Sequence, residues 1–495
     1  MIYSEFKKVV KQNFDKTALL YNNQQLSYGE LDCRITLCAE TINAENNMRH
    51  RRIIILLKNS DLFVYSFFAI NKIGAVAVPL SFKMPVAQLA QYIDLVAPAA
   101  IICAIDRVEE ISEIFNGLLF VANYQTHNIY VFKEEISFKK DIIELQYNQM
   151  DLAEILFTSG TTGTPKGIML SNDNILENVK GINAYLDISE TDRFLLIKPL
   201  HHSSTLNGEM LLGLLTGQTI VLTNKLVSPN TLYNLITVNQ ISVIFATPSL
   251  LRYLLEIEND KLHRLDKTLK IIHFYGAPLP ENILNELIAK YPNVELIYSY
   301  GLTEASPRVT YIKKADLILK PLSSGIALYN VELKIFDENH LAELKAYEIG
   351  EICLKGKNIM KGYFNNQKLS EATISDGWLK TGDLGFLDAE GYLFHKGRKD
   401  DLIIKGAINI YPAEIENIVY ELPAVQSVLV VGADSLEYGK KIIAYIEVKQ
   451  GYSLSETDVS GHLLKKMEAI KCPDQIRFVD RLDLTESGKI KRLKH

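Results

Sequence analysis

Short apolar runs alternate with amphipathic stretches through most of the chain. RRIIILL (51–57) reads as a strand and SDLFVYSFFAINKIG as the helix after it. AVAVPL, the helical PVAQLAQYIDLV and the strand AAIICAI continue the alternation. TIVLT (219–223), SVIFATP (242–248), KIIHFYG (270–276) and VELIYSYG (294–301) read as further buried strands. Helical segments such as TLYNLITVNQ and ENILNELIAKY separate them. Strands that are apolar along their whole length are covered on both faces, so the pattern predicts α/β architecture with mostly parallel, helix-covered sheets.

From about residue 310 the texture changes to shorter strands and turns: VELKIFDE, IGEICLKG and GYLFHKG. This predicts a small, more antiparallel, barrel-like subdomain. After the Gly- and charge-rich KGRKDD (396–401) the chain reads as a compact α+β unit. It has a strand LIIK, a helix PAEIENIVYEL, strands VQSVLVVGA and KIIAYIEVK, a helix SETDVSGHLLKKME and then a tail. The expected division is a large N-terminal domain at 1–396, a hinge at 397–400 and a small mobile domain at 401–495.

Composition narrows the function classes. A chain of 495 residues, 47% apolar and 23% charged, can bury a large core in two or three domains. Its net charge of −6 argues against nucleic acid as a partner. The five cysteines, at 33, 38, 103, 353 and 472, form no C-x-x-C pair, so neither a disulfide framework nor structural zinc is expected. The first residues form a charged amphipathic stretch rather than a signal peptide. The apolar stretches are interrupted by Lys58, Asp61 and Lys72 and fall short of the roughly 18–20 apolar residues of a membrane span. A cytoplasmic, soluble protein without a membrane span is expected.

The first chemistry-bearing stretch is LFTSGTTGTPKGIML at 156–170. It is not the common P-loop, because Lys166 follows Pro165 and precedes Gly167, where that motif needs Gly-Lys-Ser/Thr. The physics is nonetheless that of an anion cradle. Gly160 and Gly163 let backbone N–H groups turn inward, Ser159, Thr161, Thr162 and Thr164 add hydroxyl donors, and Lys166 adds charge. Taken alone, such a loop is more often an ordinary turn between strands.

The motifs that follow come in order: YSYGLTEAS (298–306), GEICLKGKNIMKGYFNN (350–366), DGWLKTGDLG (376–385), GRKDDLIIKGAINIYPAEIE (397–416) and TESGKIKR (485–492). With the opening loop they resemble the ANL superfamily of acyl-CoA synthetases, peptide-synthetase adenylation domains and firefly luciferases. TALLYNNQQLSYGELD (17–32) and NKIGAVAVPL (71–80) also look like its early motifs, so the resemblance runs essentially end to end. It implies two half-reactions: a carboxylate attacks the α-phosphate of ATP, and a thiol then takes the acyl group and releases AMP.

The resemblance also implies residue roles. Thr158, Ser159, Gly160, Thr161, Thr162, Gly163 and Lys166 would grip the β- and γ-phosphates. Glu304 would anchor Mg²⁺, with Thr303 at the α-phosphate. Tyr300, beside Gly301, would stack on adenine, and the backbone of Gly276, Ala277 and Pro278 would pass along it. Asp383 would accept the ribose hydroxyls, Arg398 would lie near ribose and phosphates, and Lys489 would be the catalytic lysine of adenylation. Asp400 would be the pivot about which the C-terminal domain rotates between the two steps. His202 would gate the acid pocket, with Ser203, Ser204 and Asn207 beside it. Amino-acid-activating relatives carry an aspartate where this chain has Ser204, which cannot neutralise an ammonium, so a fatty or aryl acid is expected. The thiol acceptor is coenzyme A, or else the phosphopantetheine of a carrier protein. A luciferase-type oxygenase and a non-catalytic adenylate sensor are the remaining readings, and the presence of Lys489 speaks against the sensor.

Overall fold

The computed structural model describes residues 1–22, 24–44, 48–132, 152–158, 165–224, 228–276, 279–337, 339, 342–405, 408–435, 439–483 and 490–492. Two large sheets form the N-terminal part. One has nine strands, in the order Ile326–Ala327, Arg308–Lys313, Glu295–Gly301, Ile271–Tyr275, Val243–Ala246, Arg193–Leu196, Thr219–Leu222, Thr17–Tyr21 and Gln24–Ser27. The six from Glu295–Gly301 to Thr17–Tyr21 run parallel, with antiparallel strands at both edges. The other has eight strands, with Leu152–Thr158, Val76–Pro79, Arg52–Leu56, Ala100–Ala104 and Leu118–Asn123 parallel at its centre. The central strands are buried along their whole length, as Arg52–Leu56 and Ile271–Tyr275 show. This is the arrangement that uninterrupted apolar runs require.

The antiparallel texture expected from about residue 310 begins with the edge strands of the nine-stranded sheet. The separate five-stranded antiparallel sheet starts only at Val331 and is built from Val331–Phe336, Gly350–Gly356, Trp378–Leu387, Ile374–Ser375 and Leu393–Arg398. After the turn Lys399–Asp401 come a small hairpin, the helices Pro412–Tyr420 and Glu456–Leu463, and a three-stranded sheet with its own apolar core. Part of the stretch expected to be a tail is in fact a strand: Gln475–Val479 pairs in parallel with Gly439–Val448. QIRFV is short and its apolar residues are unevenly covered, with Ile476 buried, Phe478 exposed and Val479 half-buried, so it does not read as a buried strand. No helix among the described residues is long and apolar enough to cross a membrane.

Buried polar contacts hold the two large sheets in register. Asn59, just after Arg52–Leu56, donates to the Lys198 carbonyl (2.8 Å) and accepts from the Leu200 N–H (2.9 Å) beside the other sheet. Glu154, on Leu152–Thr158, is fully buried and accepts from Asn207 Nδ2 at 2.7 Å. Its Oε2 has no partner among the described residues. Burial pushes this carboxyl from its ordinary 4.5 up to about 8, against the smaller pull of the Asn207 bond. The folded protein therefore holds the Glu154 proton over a range in which the unfolded chain loses it. The stability this contributes is complete below pH 4.5 and is lost as pH rises toward 8, by at most about 1.4 kcal/mol per pH unit. Glu154→Gln should keep the Asn207 bond and flatten the fall of the urea midpoint between about pH 5 and about pH 8. An unchanged slope would mean that Glu154 is ionised in the folded state.

Candidate functional site

The carboxyl ends of the parallel strands open toward the small antiparallel sheet, the position at which open α/β sheets form their crevices. Ile271–Tyr275 ends in Gly276 at φ 104°, a conformation that favours glycine. Glu295–Gly301 ends where Gly301 pairs with Arg308, and a Cβ at Gly301 would lie 1.9 Å from the Pro307 carbonyl oxygen. No other residue fits there without moving the backbone. The next turn, Thr303–Ala305, presents Thr303 and Glu304, both half-buried. Asn178 holds this loop from behind, donating to the carbonyls of Ala305 (3.2 Å) and Arg308 (2.6 Å) and accepting from the Arg308 N–H (3.1 Å).

Tyr300, Asp383 and Arg398 meet directly. The Tyr300 hydroxyl donates to Asp383 Oδ2 at 2.5 Å, and Arg398 Nε lies 3.0 Å from Oδ1. Asp383 and Arg398 are facing partners on adjacent strands, and Arg398 also donates to the Thr381 carbonyl at 2.9 Å. His395 Nε2 stands 3.8 Å from the same carboxylate, its ring 5.3 Å from that of Tyr300. Burial alone would raise the Asp383 carboxyl, but His395, Arg398 and Tyr300 outweigh it and hold the group below the usual aspartate range. Burial and the adjacent Asp383 carboxylate push the Tyr300 phenol well up, so it stays a donor. Two donors on a carboxylate leave lone pairs for two more.

A second group forms around Tyr363. Its hydroxyl donates to Glu304 Oε1 at 3.0 Å, and Lys166 Nζ lies 5.9 Å from its ring centre. Lys166 opens the strand Lys166–Ser171 and pairs with Thr158 at the end of Leu152–Thr158, so the two strands form a hairpin around the hydroxyl-rich loop. Ser159, Gly160, Thr161, Thr162, Gly163, Ala277, Pro278 and Lys489 lie outside the described residues. Asp400 is exposed in the turn Lys399–Asp401.

His202 caps a helical run that passes from Ser203–Thr205 into the π-helical turn Leu206–Leu211. Ser203 is buried and Ser204 half-exposed. Asn207 is fully buried and spends its amide on Glu154. Behind this run lies a charged cluster that no motif announces. Glu209 Oε1 meets Lys198 Nζ and the Tyr275 hydroxyl, while the Arg308 guanidinium lies 3.6 Å over the Tyr275 ring. One available signal is a carboxylate inside the apolar run LNGEMLLGLL. Tyr363 and His395 were also unmarked, although both stand within matched motifs or beside them.

The chain matches the AMP-binding enzyme family over residues 6–364 and the AMP-binding enzyme C-terminal domain over 414–489. It is 32% identical to 2-succinylbenzoate–CoA ligase of Bacillus subtilis, over 97% of this chain and 94% of that protein. It is 31% identical to indoleacetate–CoA ligase of Aromatoleum aromaticum, over 96% and 94%. Among solved structures it is similar to Bacillus subtilis o-succinylbenzoate CoA synthetase with its acyl-adenylate intermediate (TM-score 0.85, 29% identity, 98% and 96% covered). It is also similar to that synthetase with ATP and a magnesium ion (TM-score 0.85, 29% identity, 98% of each chain covered). The ordered motifs thus agree with the family match, and the chain belongs to the AMP-binding enzyme family, within the ANL superfamily and of acyl-CoA synthetase type.

Proposed function

We propose that this protein activates an aryl or other non-amino carboxylic acid with ATP and passes the acyl group to coenzyme A. The carboxylate attacks the α-phosphate, pyrophosphate leaves, and the CoA thiol then displaces AMP from the acyl-adenylate. The observation that carries the reading is the meeting of Tyr300, Asp383 and Arg398 beside Glu304 and Thr303 at the carboxyl edge of the parallel strands. Adenylation joins two anions and expels a third, so positioning and charge neutralisation are what the protein has to supply.

Tyr300 and Gly276, with Ala277 and Pro278, would flank the adenine. Asp383 would take the ribose hydroxyls on its remaining lone pairs, and Arg398 would stand over the phosphates. The hairpin loop, with Thr158 and Lys166 at its two ends, would hold the β- and γ-phosphates, and Thr303 the α-phosphate. Glu304 fits Mg²⁺: it is a hard carboxylate ligand that accepts from Tyr363 and forms no salt bridge among the described residues. Bound there, the ion would neutralise phosphate charge. His202 would stand between acid and phosphates, and Ser204 leaves that end of the pocket without a carboxylate for an ammonium. Coenzyme A as acceptor, rather than a carrier protein, follows the CoA ligases among the relatives. Rotation about Asp400 would bring Lys489 in for adenylation and withdraw it for thiol transfer.

Acid-dependent ATP–pyrophosphate exchange, measured without thiol over fatty, aryl, short-chain and amino acids, should respond to the non-amino acids. A response to amino acids alone would overturn the reading of Ser204. Lys489→Ala should lower exchange on the order of 10²–10³-fold while sparing CoA transfer from supplied acyl-adenylate; equal loss of both would sink the division into two states. Tyr300→Phe removes one donor from a buried carboxylate and should raise KM for ATP about tenfold with KM for the acid unchanged. A shift in the acid KM instead would place Tyr300 outside the nucleotide site.

A further inference from the structure

The charged cluster behind the His202 run sets one carboxylate, Glu209, among two cations, Lys198 and Arg308. Glu209 and Arg308 are 0% and 2% exposed. Burial pushes the Glu209 carboxyl up, while Lys198 pulls it back by ion pair and hydrogen bond. Whichever form it takes, the single Glu209 carboxylate can neutralise no more than one of these two cations. His273 adds none, because burial and then Arg308 and Lys198 hold its pKa well below the ordinary range. A buried charge with no counter-charge costs several kcal/mol.

The cation with no ion pair among the described residues is the Arg308 guanidinium, which has the Tyr185 hydroxyl and, farther off, Glu209 in its surroundings. Its Nε and Nη2 are buried and have no hydrogen-bond partner among the described residues. It lies against Tyr275 through a ring face, which offers attraction but accepts no pair of N–H bonds. Arginine presents a planar fork of donors suited to a carboxylate. Gly208 faces the same guanidinium: a Cβ there would stand 3.6 Å from Arg308 Cζ and Nη2, so no side chain intervenes between helix and fork.

The location ties this fork to the site. Arg308 opens its strand opposite Gly301, beside Tyr300, and Tyr275 directly precedes Gly276. Gly208 stands six residues after His202 on one helical run, at most about 9 Å along its axis, since the α-helical rise of about 1.5 Å per residue is an upper bound for its π-helical part. An acid with its reacting end at His202 would therefore have its far end at Arg308.

We propose that Arg308 is a specificity-determining residue that receives a second carboxylate, so that the substrate is a dicarboxylic acid with its two anionic ends separated by a ring or a medium-length chain. This rests on the acid–CoA ligase reading above. Lys198, bound to Glu209 and stacked 4.0 Å from the Tyr275 ring centre, acts as a positioning residue.

The test compares matched acids on the unaltered enzyme: hexanoate with adipate, octanoate with suberate, and 4-oxo-4-phenylbutanoate with 2-succinylbenzoate, which differs by one ring carboxylate. Pyrophosphate release with CoA present gives kcat/KM for each. In at least one pair the diacid should be favoured on the order of 10–100-fold, the range of a charge-assisted hydrogen-bonded pair. Arg308→Met should remove that preference mainly through KM for the diacid, with the matched monoacid little changed, and Arg308→Lys should restore part of it. The proposal is overturned, with the ligase reading intact, if every active monoacid matches or exceeds its diacid, or if the preference survives in Arg308→Met. Inactivity toward all acids, with ATP and CoA supplied, would overturn the ligase reading and this proposal with it. Because the acid pairs are read on the unaltered protein, failure of a variant to fold leaves the comparison decisive.

Discussion

The hydrogen bond from Tyr300 to Asp383 is the contact on which the geometry of the site depends. It joins the last turn of a parallel strand to the small antiparallel sheet, and Arg398 extends it to the turn where the C-terminal unit begins. Asp383 is only 5% exposed. A buried carboxylate is tolerable only where donors satisfy it, so the fold must hold Tyr300, Arg398 and His395 around it. Three regions distant in sequence are thereby fixed at one point. A nucleotide arriving there meets acceptors and donors already oriented by one another, which reduces the reorganisation that catalysis would otherwise require.

Much of this was legible in the sequence, for a physical reason. Strands covered on both faces must be apolar throughout, and RRIIILL, SVIFATP and KIIHFYG declare themselves by that requirement. The ordered motifs located Tyr300, Glu304, Asp383 and Arg398, and the structure brings Tyr300, Asp383 and Arg398 into contact, with Glu304 beside Tyr363. The strand Gln475–Val479 was not legible, because its stability comes from pairing with Gly439–Val448 rather than from its own apolar content. The cluster of Lys198, Glu209, Tyr275 and Arg308 was not legible either. Its members are spread over 110 residues, and the edge of one sheet together with the helical run Leu206–Leu211 brings them together.

Two carboxylates near one helical turn show how strongly local environment decides chemistry. Asn207 and Glu209 are two residues apart. Asn207 faces Glu154, a carboxyl with an amide partner and no cation, and burial keeps it protonated up to about pH 8. Glu209 has Lys198 and Tyr275 donating into one oxygen, which opposes the same burial. The first is a neutral spacer between the two large sheets, the second the counter-ion that lets Lys198 enter the interior. Burial is common to both, so the difference comes from the partner.

The same reasoning bears on the C-terminal unit. Its docking contacts with the large domain include Arg252 on Ser427 Oγ (3.3 Å) and the Gln426 carbonyl, and Asn282 on the Tyr420 carbonyl (3.0 Å). Each is a polar contact at or near the surface, of a kind worth about 1 kcal/mol. Gly397, just before Arg398, has φ 126° and open space where a Cβ would stand, so the backbone entering the turn Lys399–Asp401 is unobstructed by packing. Contacts this weak can be exchanged for others of similar strength. A difference of 1.4 kcal/mol in how a bound species interacts with two orientations shifts their ratio tenfold. The tight part of the molecule is thus the strand edge that holds Asp383, and the unit beyond Arg398 is joined to the large domain by weaker polar contacts.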